Sequence, residues 1–162
     1  MSQKIPFDKV LHTIDPPAGT RYTLRTCHLQ GFEDVLELSE QVYQTVVQPR
    51  LLRSPLSEAE AISLGTASHV CAALRLEPQE ENQKRVARAL ACCATSSFSI
   101  EVQSPDRSSE RRAGCLFEIL AWEREGWVPQ EPFRIRFVPL LAVRVQKFEI
   151  LSQQQRGEEQ VQ

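Results

Sequence analysis

The chain lacks a strong net charge. Its 162 residues carry 19 lysines and arginines against 21 aspartates and glutamates, which gives a formal net charge of −2. A field from the whole molecule needs an excess of one sign, so general attraction to polyanions or to an acidic membrane surface is excluded. Nucleic-acid binding would therefore need a local basic patch.

Long apolar runs are also absent. No stretch approaches the roughly 18 continuous apolar residues that are typical of a membrane span. The first residues, MSQKIPFDKVLHTIDPP, lack the apolar core of a signal peptide. We therefore expect a soluble, cytoplasmic protein that makes no contact with a membrane.

The short motifs of common enzymes and metal sites are missing. The sequence has no GxGxxG, GxxxxGK[ST], GxSxG or HExxH, so the common nucleotide, serine-nucleophile and zinc-hydrolase sites lack their signatures. Its five cysteines are irregularly spaced and do not form the short pairs that mark structural zinc. We expect reduced thiols, no metal, no cofactor and no catalytic residue.

The composition suits one folded domain. Apolar residues make up 41% of the chain and charged residues 25%, which is ordinary for a globular protein. A chain of this length can bury a core without disulfides. We predict a single domain over residues 1–151, with an irregular lead-in over 1–19, and a disordered polar tail over 152–162. One or two helical turns are expected within the lead-in, at 7–14.

Three helices are predicted in the central section. In 32–47 the apolar residues recur every three or four positions, and Pro49 is expected to end that helix. A second helix is predicted over about 57–76, because Ser57 begins a capping-box pattern ahead of many small residues. The segment 78–93 predicts a third helix, with proline and acidic residues in its first turn.

Strands are predicted on both sides of these helices. Alternating apolar and polar residues predict a first strand within TRYTLRTCHL, before the helices. The later strands are predicted at 98–103, 115–122, 133–138 and about 140–151, with a mobile hairpin tip at SPDRSSERRAG. The fold class is therefore α+β, with about three helices packed on an antiparallel sheet of three to five strands formed mainly by the C-terminal half.

Cys92 and Cys93 form the only adjacent cysteine pair. Successive side chains on a helix point about 100° apart, so the two thiols cannot bind one metal ion or form an unstrained disulfide. Cys93 continues the apolar row of Leu90 and is interpreted as a core residue. For Cys92 the alternative is a reactive thiolate favoured by Arg85 and Arg88, although the carboxyl end of the helix would oppose it.

Glu118 is the acidic residue that interrupts the apolar strand CLFEILAW. A buried carboxylate must be paired, or its pKa rises toward a value useful for acid catalysis. The structural interpretation is a pair across the sheet with Arg134, Arg136 or Arg144, or a carboxylate that reaches solvent at the rim of the sheet. We favour it over a catalytic role, because no histidine, second acid or nucleophile lies beside Glu118 in the sequence.

The last predicted strands and the loop between them combine arginines with tryptophans. The candidate partner-binding residues are Trp122, Trp127, Arg134, Arg136 and Arg144. Such a face could receive a protein or stack on single-stranded bases. The simpler alternative is a solvated face, because glutamates dilute the charge.

These observations favour a non-enzymatic interaction module, that is, an adaptor or a small subunit of a larger assembly with a protein partner of unknown identity. The alternative is a nucleic-acid-associated protein that uses the arginine-bearing sheet face together with Lys84, Arg85 and Arg88. A second alternative is a small enzyme with Glu118 or Cys92 at its site.

Overall fold

The computed structural model describes residues 7–14, 19–56, 60–120 and 131–161. The elements in chain order are β1 (Phe7–Ile14), β2 (Arg21–His28), α1 (Leu36–Val42), α2 (Gln48–Arg53), β3 (Ile62–Gly65), α3 (Ala67–Ala73), α4 (Glu80–Thr95), β4 (Ser97–Gln103), β5 (Ser109–Gly114), β6 (Phe117–Leu120), β7 (Phe133–Phe137) and α5 (Pro139–Val161). A 3₁₀ turn, Glu33–Val35, precedes α1, and a π-helical segment, Tyr43–Val47, joins α1 to α2. The predicted α+β class is confirmed.

The described strands form two antiparallel sheets. The first has the order β1-β2-β4-β5 and the second the order β3-β7-β6. In the first sheet Leu24 lies opposite Ile100, and both side chains are buried in the core. In the second sheet Ile135 of the central strand lies opposite both Ile62 and Ile119. Each sheet therefore has one face against the hydrophobic core.

Strand β1 replaces the helical turns expected at residues 7–14. It pairs with β2 from Phe7 opposite His28 to Ile14 opposite Tyr22, with an irregularity after Val10. A helix this short is marginal by itself, whereas the ladder with β2 satisfies the same backbone groups. The expectation of helical turns is therefore wrong.

The helix predicted over 32–47 forms, but the chain stays helical as far as Arg53. The backbone N–H of Gln48 donates to the carbonyl of Tyr43, five residues back, which is the wide π-helical bond. Pro49 follows in the first turn of α2, where a missing N–H costs little. The expectation that Pro49 ends the helix is therefore wrong.

The single helix predicted over about 57–76 is also wrong. Residues 57–59 lie outside the described residues, and strand β3 and helix α3 occupy most of the remainder. Gly65 ends the strand with a φ of +93°. The hydroxyl of Thr66 then caps α3 by accepting a hydrogen bond from the His69 N–H at 3.2 Å. In the sequence, Gly65 followed by Thr66 indicates the end of one element and the start of a helix. The many small residues around them favour a single continuous helix instead.

The final strand predicted over about 140–151 is a helix, α5. Its buried residues recur every three or four positions and are Leu141, Ala142, Val145, Phe148, Glu149 and Ser152. That spacing is helical, and Pro139 occupies the first helical position. The helix continues to Val161, through most of the segment 152–162 that was expected to be disordered.

Helix α4 confirms the predicted third helix and lies at the centre of the fold. It packs against α1 and α3, and it also contacts β2 and β6. Its buried side chains are Val86, Ala87, Ala89, Leu90, Cys92 and Cys93. The helix therefore links both sheets to the other helices.

Gly65→Ala tests the junction between β3 and α3. A Cβ atom at this position would lie 2.6 Å from His69 Cδ2, and the positive φ disfavours any side chain. We expect the free energy of unfolding to fall by about 2 kcal/mol, measured by urea denaturation. Gly114→Ala is the control, because its Cβ would meet only Leu141 Cδ2, at 3.9 Å. An equal loss in both variants would contradict this account.

Candidate functional site

The structure separates the residues predicted to bind a partner. Trp122 and Trp127 lie outside the described residues. Arg134 and Arg136 are two apart on β7 and therefore project from the same face of the second sheet. Arg144 lies on α5 rather than on a strand, so it does not belong to that face.

Glu118 is the cross-strand partner of Arg136. Its Oε1 lies 3.4 Å from Arg136 Nη1, and the two side chains are 58% and 42% exposed, respectively. A pair this exposed contributes little to stability. The structural interpretation of Glu118 therefore holds, and the carboxyl is not the buried acid that a catalytic role required. Arg134 lies opposite Leu120 and is exposed.

Arg144 instead contacts the charged strand β5. Its Nη1 lies 3.9 Å from Glu110 Oε1, and the same oxygen lies 3.2 Å from Arg112 Nε. Glu110 and Arg112 share one face of β5, since they are two residues apart. The second half of the expected hairpin tip is thus a paired strand that α5 contacts.

Strand β5 forms one edge of the first sheet in the described part of the chain. It pairs with β4 along one side, and every residue from Ser109 to Ala113 is exposed. An edge strand presents backbone N–H and C=O groups that a further strand can bind. Its exposed side chains include the cations Arg111 and Arg112 beside Glu110.

Cys92 lies in a buried hydrogen-bond network. The Ser96 hydroxyl donates to the Cys92 carbonyl and lies 2.6 Å from His28 Nδ1. Because a hydroxyl has one proton to donate, His28 Nδ1 must be the donor to Ser96. That nitrogen cannot then accept a proton from Cys92 Sγ, 3.6 Å away. Burial also raises the pKa of Cys92 and of the buried Cys93, so the pair lies in the core without an activating base.

Two kinds of site receive no support within the ranges that the structure covers. There, no group of three histidine, cysteine, aspartate or glutamate side chains is placed to hold a metal ion. Nor is any helix in those ranges long and apolar enough to cross a membrane.

Helices α3 and α4 are consecutive and are joined by residues 74–79. Gln83 Nε2 on α4 donates to Ser68 Oγ on α3 at 3.2 Å and to the Pro78 carbonyl at 2.9 Å. Strand β3 leads directly into α3, and its neighbour β7 is paired with β6. Two consecutive helices that contact each other and are joined by six residues therefore lie beside a three-stranded antiparallel sheet.

Arg88 on α4 is engaged within the fold. Its guanidinium lies 5.1 Å from the Phe32 ring centroid and 3.0 Å from Asp34 Oδ1, and it also donates to the Gly31 carbonyl. Its hydrogen bond to Asp34 holds the pKa of that carboxyl below its usual value. Arg88 therefore fastens residues 31–34 to α4.

Lys84 and Arg85 are the exposed cations of α4. Lys84 Nζ lies 3.2 Å from Glu80 Oε1, and both side chains are well exposed, so solvent weakens their attraction. Arg85 is exposed one residue further along. Glu81 adds a second acidic residue in the first turn of α4. The exposed side of α4 therefore carries charges of both signs.

A polar cavity, which the sequence did not predict, lies between the π-helical segment and α5. It has a volume of about 210 Å³ and is lined by Leu11, Tyr43, Gln44, Gln48, Glu149, Ser152 and Arg156. Glu149 and Ser152 interrupt the buried face of α5, where apolar residues would be expected. That interruption becomes visible only when the segment is interpreted as a helix.

The cavity contains two buried titratable groups. Glu149 is 4% exposed, and burial raises its pKa to about 7, although Arg156 and the nearby Tyr43 hydroxyl oppose the rise. Burial likewise raises the pKa of Tyr43 well above its usual value. The Tyr43 hydroxyl is buried and makes no hydrogen bond of normal geometry. The Tyr43 hydroxyl and the Glu149 carboxyl are thus both buried, in an environment where apolar groups are more stable.

Comparison with known proteins identifies no family. No family model matches the chain, and no curated protein matches it. One similar solved structure is the crystal structure of domain 2 and domain 3 of RctB, a selenomethionine derivative. The TM-score is 0.42 with 9% sequence identity, over 88% of this chain and 54% of that one. The chain thus spans about half of that structure, and a likeness this weak supports no functional argument.

Glu149→Gln is expected to change the pH dependence of stability. A carboxyl whose pKa rises from 4.5 to about 7 on folding favours the folded state at low pH, and this contribution is lost as pH rises through 7. The variant should therefore gain stability over the natural protein at pH 8 and not at pH 4, by at most about 3 kcal/mol. Urea denaturation at both values measures the difference.

Glu37→Gln, at an exposed position of α1, is the matched control for the same chemical change. Equal effects of Glu149→Gln at pH 4 and pH 8 would contradict the raised pKa.

Proposed function

We propose that this chain is a double-stranded DNA-binding module in which α4 enters the major groove. The observation that carries the proposal is the succession of α3 and α4, two contacting helices joined by six residues, beside the β3-β7-β6 sheet, which we interpret as a helix-turn-helix. In helix-turn-helix proteins the second helix lies in the major groove, and its amino-terminal residues contact the base edges.

The dimensions of α4 suit this role. Its 16 residues span about 24 Å, and the major groove is about 12 Å wide and admits one helix. From Val86 onward the helix is buried around more than half of its circumference, by α1, α3 and the sheets, whereas residues 80–85 at its amino end are exposed or half-buried. Its bond from Gln83 to Ser68 fixes how the exposed side is presented relative to α3.

The exposed side chains of α4 supply groups that DNA recognition uses. Lys84 and Arg85 can bind phosphates or guanine edges, and Glu80 and Glu81 can accept hydrogen bonds from cytosine amino groups. Arg134 adds an exposed cation on the neighbouring sheet. Because the net charge is −2, this local patch must provide the attraction that the whole molecule lacks.

Removing the two cations of α4 tests the proposal. Fluorescence anisotropy with random-sequence duplexes at low salt should detect binding, and Lys84→Ala/Arg85→Ala should weaken it about tenfold. The slope of log affinity against log salt should fall in magnitude by about 2, one for each lost phosphate contact.

The control is Arg111→Ala/Arg112→Ala on β5, which removes the same charge from a different surface. Equal weakening in both double variants would reject α4 as the contact, and no binding at low salt would reject the function.

A second candidate function, protein docking, is favoured by the exposed edge of β5. We propose that an extended, acidic segment of a partner protein adds a strand to this edge. Cations on an edge strand discourage indiscriminate pairing, and they select a partner of opposite charge. Arg111 is the cation that would chiefly make this selection, because Arg112 already lies 3.2 Å from Glu110.

Docking at β5 predicts a stoichiometric protein partner that survives nuclease treatment when the tagged chain is purified from its source. Arg111→Glu/Arg112→Glu should abolish recovery of this partner, because the reversed charge repels an acidic segment. Lys84→Glu/Arg85→Glu is the control and should leave recovery unchanged. A partner that both variants retain would exclude the β5 edge as its binding surface.

A further inference from the structure

The polar cavity described above has the composition of a ligand site. Its volume of about 210 Å³ is well above what a single water molecule needs. Six of its seven lining residues are polar, and they come from the π-helical segment, α2 and α5. A space this polar, bounded by these three elements and by β1 through Leu11, is suited to a small polar molecule.

The Tyr43 hydroxyl, which lies near the Glu149 carboxyl, is the first observation that points to a ligand. The side chain is 3% exposed, and its hydroxyl has no hydrogen-bond partner of normal geometry. A buried polar group without a partner costs free energy, so such groups are rare in folded proteins. A bound molecule in the cavity would supply the partner.

The backbone around Tyr43 gives a second, independent sign. Tyr43 begins the π-helical segment, and Gln44 belongs to it, so two of the lining residues lie on this widened turn. A π-helical turn has poorer hydrogen-bond geometry than an α-helical turn and is frequent at functional sites. The widened turn is therefore retained at the wall of the cavity itself.

Charge in the cavity is divided between an acid and a base. The Glu149 carboxyl is 4% exposed. Arg156, seven residues later on the same helix, donates from Nη2 to Ser152 Oγ at 3.2 Å and from Nε to the Ser152 carbonyl at 3.5 Å. A guanidinium has five N–H donors, so others remain to bind a carboxylate.

We propose that this cavity binds a free α-amino acid, with its ammonium group at Glu149 and its carboxylate at Arg156. Gln44 and Gln48 can each donate and accept hydrogen bonds, which suits the polar parts of such a molecule. The Tyr43 hydroxyl would then donate to, or accept from, the ligand. This inference is independent of DNA binding and of docking at β5.

The proposal is tested by isothermal titration calorimetry of the full chain against the twenty amino acids at pH 8. At least one should bind, and Glu149→Gln, Tyr43→Phe and Arg156→Gln should each weaken its binding tenfold or more. The controls Glu37→Gln, Tyr22→Phe and Arg50→Gln make the same chemical changes away from the cavity and should change affinity less than twofold. Arg156 is exposed, so its variant keeps the core intact.

Two further measurements make the assignment specific. Methylamine, which lacks the carboxylate, should bind at least tenfold more weakly than the amino acid. Affinity should fall about tenfold between pH 8 and pH 6, because Glu149, with a pKa of about 7, becomes protonated. This dependence should disappear in Glu149→Gln. Binding of no amino acid, or equal binding of methylamine, would overturn the proposal.

Discussion

Helix α4 has apolar side chains around more than half of its circumference, so it must be covered from several directions at once. Helices α1 and α3 cover part of this surface, and β2 and β6 approach it from the two sheets. Burial of Leu90, Cys93 and their neighbours therefore requires both sheets and the preceding helices to assemble together. The contact of Arg88 with Asp34 extends the same dependence to the turn before α1.

Several charged residues in the described part of the chain are paired within the fold. Arg136 lies beside Glu118, Arg112 and Arg144 both lie near Glu110, and Arg88 is held by Asp34. These exposed pairs add little to the stability of the fold. Each pair also partly neutralises a charge that could otherwise attract a binding partner. A functional role for charge in this protein therefore depends on a few positions, chiefly those on the exposed side of α4 and on the edge of β5.

The cavity at Tyr43 and Glu149 is polar, unlike the rest of the core, which is mostly apolar. Elsewhere the buried residues of α5 are apolar, and such packing stabilises the fold. An acid and a hydroxyl buried together, at a widened helical turn, reduce stability at neutral pH. Local departures from good packing of this kind are typical of positions that serve a function.

The sequence by itself determined the α+β class, the amphipathic helices at 36–42 and 80–95, and the strands at 97–103 and 133–137, because short-range periodicity dictates which side of each element is apolar. It also placed Cys92 in the core and paired Glu118 with an arginine across the sheet. Only the tertiary structure decided that 7–14 is a strand, that 139–161 is a helix, and that Gly65 and Thr66 separate a strand from a helix. Tertiary contacts also brought Tyr43, Glu149 and Arg156 to one cavity and moved Arg144 away from Arg134. Residues so far apart in the chain come together only when the helices and strands pack against one another. Short-range sequence periodicity does not indicate which elements will be neighbours.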